Sequence, residues 1–94
     1  MNTTYTFKPV YGYGWRCGDN SIEVPGEFVL NAHTGSESEI VGEIAGSHEF
    51  TNKKAILSLR SSADGTKHYN VIIKAESGED VTGFAELVGE GNGV

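Results

Sequence analysis

Apolar and polar residues alternate with period two along most of this chain. From residue 5 to residue 17 the odd positions read Tyr5, Phe7, Pro9, Tyr11, Tyr13, Trp15 and Cys17. The even positions between them read Thr6, Lys8, Val10, Gly12, Gly14 and Arg16. Successive side chains of an extended strand point to opposite faces. The pattern over 4–17 therefore predicts a strand with one face made largely of rings. Pro9 lacks a donor N–H, and Gly12 and Gly14 weaken pairing, so a break, bend or bulge is expected partway along it.

The same period recurs downstream. A turn at Gly18-Asp19-Asn20-Ser21 leads to a short extended piece at 22–24, which Pro25-Gly26 ends. Over 27–33, Phe28, Leu30 and Ala32 share a face, and over 39–45 Ile40 and Ile44 share one face while Val41 and Ala45 share the other. Residues 54–61 set Ala55, Leu57 and Leu59 against Ile56, Ser58 and Arg60. Residues 67–75 set Tyr69, Val71 and Ile73 against His68, Asn70, Ile72 and Lys74. Asp64-Gly65 lies between these two runs, which makes them the clearest hairpin in the chain. Residues 81–88 supply a last strand, with Val81, Gly83, Ala85 and Leu87 on one face.

These elements predict an all-β fold, a small antiparallel barrel or sandwich of about six strands. An alternative reading gives 52–60 a short helix capped by Thr51 or Asn52, the order of an OB-like barrel. The alternation of Leu57 and Leu59 with Ser58 and Arg60 favours the strand. Ninety-four residues make one domain, 1–94, and its glycine-rich end, 89–94, is expected to fray.

Charge changes the picture, because it comes in blocks. Residues 1–16 carry only Lys8 and Arg16. Residues 17–52 hold Asp19, Glu23, Glu27, Glu37, Glu39, Glu43 and Glu49 with no Lys or Arg. Residues 53–75 hold five cations and Asp64, and 76–94 hold five carboxylates with no base, for a net charge of −6. One consequence is cross-strand pairing between acidic and basic strands. Another is an acidic surface that steers a basic partner. Nucleic-acid binding is disfavoured, since it needs a positive field.

Candidate chemistry is sparse. One cysteine, Cys17, excludes an internal disulfide, and Cys17 with the scattered His33, His48 and His68 forms neither a nucleophile–base motif nor a zinc spacing. Tyr11-Gly12-Tyr13-Gly14 lacks the spacing of a phosphate-binding loop. No catalytic residue, metal site or cofactor is assigned. No apolar run is long enough for a bilayer helix, and Met1-Asn2-Thr3-Thr4 opens no signal peptide, so a cytoplasmic chain without a membrane partner is expected.

The rings offer the best candidate site. Tyr5 and Phe7 fit a core, whereas Tyr11, Tyr13 and Trp15 could instead stack on a ligand, since such rings carry polar handles. The expected function is a non-catalytic binding protein, for example an inhibitor or blocker, that engages a basic protein surface. Its candidate binding residues are Tyr11, Tyr13, Trp15 and Arg16, with Asp19, Asn20, Glu37, Glu39 and Glu43 from the acidic block. The alternatives are a carbohydrate-binding module with Tyr11, Tyr13 and Trp15 stacked on a glycan, and a homo-oligomer joined through the ring face.

Overall fold

The computed structural model describes residues 3–10, 14–36, 38–46, 49–60, 65–74 and 78–92. They form eight strands and, among the described residues, no helix: β1 (Thr3–Pro9), β2 (Arg16–Cys17), β3 (Asn20–Ser21), β4 (Phe28–Ser36), β5 (Glu39–Ala45), β6 (Lys54–Arg60), β7 (His68–Lys74) and β8 (Asp80–Asn92). All pairings are antiparallel. The order β1-β4-β5-β6-β7-β8 returns to β1, which closes a six-stranded barrel, and β2 and β3 extend from β8. Since 54–60 is a strand, the OB-like alternative is set aside: Lys54–Arg60 pairs with β5 on one side and β7 on the other, and a helix would satisfy neither.

Alternation explains the core. Phe7, Phe28, Leu30, Ile40, Ile44, Leu57, Tyr69, Val71 and Ile73 face inward and are buried. A small barrel has an interior filled by side chains, so large rings suit it. Phe7 and Phe28 are cross-strand partners with centroids 5.5 Å apart, and Phe7 meets Tyr69 edge-on at 5.5 Å. Such ring pairs add about 0.5–1.5 kcal/mol beyond their buried area. Leu59 shares the parity of Leu57 but is 39% exposed, one residue from the end of β6.

Two glycines are required by close approach. A Cβ on Gly42 would press on the Asn31 carbonyl oxygen and lie 2.7 Å from the Ala32 Cα, so β4 and β5 pack too closely there for any side chain. The register between these strands also shifts between Ala32 and Thr34. A bulge beside a glycine bends a strand, as closing a narrow barrel requires. The second glycine, Gly83, faces Trp15.

The predicted first strand proves to be two strands on one line. Pro9 pairs with Ala85, the Val10 amide donates to the Phe84 carbonyl, and Arg16 and Cys17 resume against Thr82 and Val81. Four more residues separate Val10 from Arg16 than an unbroken strand would use, and of these 11–13 lie outside the described residues.

At the other end of β8, where fraying is expected, Gly89 to Asn92 are paired. They pair with Thr6 to Thr3 and so form part of the barrel seam. A register shift between Thr6 and Phe7 leaves Val88 bulged and 49% exposed. β6 and β7 pair as a hairpin, but their connection spans 61–67 rather than two residues, and Asp64, with 61–63, lies outside the described residues. Among the described residues no helix is long and apolar enough to cross a membrane.

Candidate functional site

Pro9, Phe28, Ala45 and Val81 mark one end of the barrel, here called the Pro9 end. Beyond it the chain builds an open cavity of about 520 Å³. Four separate segments line it: Cys17 of β2, residues 22–26, residues 49–50, and Val81 of β8.

Local structure fixes each of these segments. The β2–β3 turn is a two-residue loop, Gly18-Asp19, between the paired Cys17 and Asn20. Gly18 has φ 61° at the first loop position, the conformation for which type II′ hairpins select glycine. The Gly18 amide donates to the Asp80 carbonyl at 3.0 Å, and the Ile22 amide donates to the Trp15 carbonyl at 3.0 Å. Cys17 and Val81 are direct cross-strand partners, so their side chains lie side by side on one face. Ile22, Val24 and Phe50 pack against the barrel core, and Pro25 is buried.

The β5–β6 loop carries Glu49 and Phe50. Asn52 adopts φ 71°, its amide donates to the Ile44 carbonyl at 2.7 Å, and the Thr51 hydroxyl donates to the Gly46 carbonyl at 2.7 Å. Asparagine tolerates this left-handed conformation better than most residues. The walls are thus mainly apolar and anchored, and the ionisable groups lining the cavity besides the Cys17 thiol are the exposed carboxylates Glu23 and Glu49.

The surrounding electrostatics are uneven. Along the barrel wall, charges face each other across strands: Lys8 opposite Glu86, Glu43 opposite Lys54, and Lys74 opposite Asp80 with Nζ to Oδ2 at 3.1 Å. Blocks of unlike charge therefore meet in the sheet. Beyond the Pro9 end the situation differs. Asp19, Glu23, Glu27, Glu49 and Glu79 are exposed there, and none has an ion-pair partner among the described residues.

The candidate binding residues read from the sequence do not form one surface. Tyr11, Tyr13 and Glu37 lie outside the described residues. Trp15 requires a correction: it is 1% exposed and belongs to the core, not to a stacking surface. Its indole lies against Gly83, where any Cβ would collide with the ring, and its Nε1 is buried with no hydrogen-bond partner among the described residues. Arg16 is exposed on β2 opposite Ser21 and Thr82. Asp19 and Asn20 are exposed at the hairpin beside the cavity. Glu39 stands at the far end of the barrel, opposite Ser36 and Ser58. Glu43 lies on the wall, where it pairs with Nε2 of His33. The acidic run thus divides between the two ends and the wall.

Sequence reasoning missed Ile22, Glu23, Val24, Glu49 and Phe50 as neighbours. A lone Phe50 in a polar loop was the one local signal, since an isolated ring between turn residues has to pack somewhere. Among the described residues, no three or more His, Cys, Asp or Glu side chains cluster as a metal site would need. Comparison with known protein families, with curated proteins and with solved structures found no match to this chain.

Proposed function

We propose that this is a non-catalytic binding protein that engages a protein partner with a basic surface, and that it does so through the Pro9 end. An inhibitor or blocker is one form such a protein takes. The observation that carries this reading is the set of exposed carboxylates around an apolar cavity that have no ion-pair partner among the described residues. Unpaired charge of one sign raises the encounter rate with the opposite sign, and a partly desolvated apolar patch holds what has been steered there. Along the wall, cations stand opposite carboxylates across the strands, which weakens such a field.

The test is binding of a fluorescently labelled lysine-rich peptide across a salt series. Steering by a same-sign cluster weakens with ionic strength, because the Debye length falls from about 30 Å in dilute buffer to about 8 Å at physiological salt. Affinity is expected to fall steadily as salt rises, and a glutamate-rich peptide is expected not to bind. Binding that ignores salt, or that is equal for the two peptides, refutes the proposal.

A further inference from the structure

We infer that the cavity at the Pro9 end seats an apolar side chain of the partner next to a lysine or arginine that reaches the rim. This deepens the proposed function and rests on it in taking the partner to be a basic polypeptide.

Three observations carry the inference. The cavity measures about 520 Å³, within the range of roughly 300–1,000 Å³ that encloses a whole small ligand, and larger than one basic side chain needs. Its walls are apolar and held by the core, with Ile22 and Phe50 packed on the buried cluster. Its lining includes Glu23 and Glu49 but no lysine or arginine. An apolar occupant without charge leaves both carboxylates unanswered, and a bare cation leaves the walls wet. An apolar–basic pair answers both, since the alkyl stem of lysine or arginine lies along apolar surface while its head stays at the wet rim.

Cys17 lines this cavity and is the one cysteine of the chain, so its alkylation reports occupancy. The experiment follows the rate of Cys17 modification by iodoacetamide, by mass, with acetyl-Leu-Lys-amide, acetyl-Leu-Gln-amide, acetyl-Gly-Lys-amide or 1-hexylamine present at one concentration. At twice its dissociation constant, acetyl-Leu-Lys-amide cuts the rate about threefold by simple occupancy. The uncharged and the glycine-bearing peptides cut it less. In the Glu23→Gln, Glu49→Gln variant, the advantage of acetyl-Leu-Lys-amide over acetyl-Leu-Gln-amide disappears. Both positions are exposed, so these substitutions leave the core untouched.

Equal slowing by acetyl-Leu-Gln-amide overturns the charge requirement, and slowing by 1-hexylamine as strong as by acetyl-Leu-Lys-amide overturns the polypeptide source. Salt-dependent binding of the lysine-rich peptide with Cys17 left unprotected keeps the proposed function and removes the cavity from it.

Discussion

Replacing Gly83 by alanine tests the packing on which the Pro9 end is built. Gly83 is not among the residues with positive φ, so its backbone tolerates a side chain and only space forbids one. A Cβ there would press into Cδ2, Cε2 and Cε3 of Trp15. To restore ordinary contact the indole must retreat by roughly 1 Å or more, yet it is 1% exposed and sits in a packed core. Overpacking of this kind costs about 1–3 kcal/mol. In a domain of this length each kcal/mol lowers Tm by roughly 4–8 °C, so a fall of about 4–24 °C is expected. Thermal unfolding followed by circular dichroism measures it, and the emission of Trp15, the one tryptophan, reports its displacement.

A double-mutant cycle isolates the contact. Trp15→Ala alone costs about 3–5 kcal/mol. Once the indole is gone, Gly83→Ala meets an empty space and restricts the unfolded chain, which makes it neutral or stabilising by about 0.4–1 kcal/mol. The two substitutions are therefore expected to couple by about 2 kcal/mol or more. Trp15→Leu serves if the alanine variant is too unstable to measure. A Gly83→Ala effect within about 0.5 kcal/mol of zero, with no coupling, would show that the indole is not seated on β8.

Gly42→Ala meets backbone rather than a movable ring, so its cost is expected at or above the overpacking range, about 3 kcal/mol, read as a lower urea midpoint. Deleting 89–94 opens the seam between β1 and β8 and should remove roughly 2 kcal/mol or more from urea-unfolding stability, whereas a frayed tail would leave it unchanged. Glu43→Gln breaks the pair with His33, but both side chains are about half exposed, so chemical unfolding should register a change no larger than about 1 kcal/mol.

The barrel strands were legible because each carries its own alternation. Phe28, Leu30 and Ala32, or Tyr69, Val71 and Ile73, announce a buried face without reference to any other segment. Trp15 shows where that logic ends. Parity assigns a face only while the chain stays extended, and the β1 line breaks after Val10. What decides the position of Trp15 is the bare face of Gly83, nearly seventy residues away, which no local pattern reports. The end of the chain misled for a related reason. Gly89 and Gly91 have little propensity of their own to form a strand, yet the open edge of β1 supplies partners for them. The cavity was hidden more completely, since four segments each contribute only a few residues to it and none bears a motif. The charge blocks were visible in the sequence, but only strand order separates the carboxylates that face lysines from those that do not.

We propose that the acidic rim of the cavity, rather than the acidic composition of the chain as a whole, recognises a basic partner. The most direct measurement is the affinity of one lysine-rich peptide at low salt for two variants of related charge. One is Glu23→Gln with Glu49→Gln at the rim, and the other is Glu39→Gln with Glu43→Gln on the far end and wall. Two rim contacts at about 0.7 kcal/mol each predict a loss near tenfold for the first variant and little change for the second. Equal loss in both would contradict the account, since binding would then follow net charge alone.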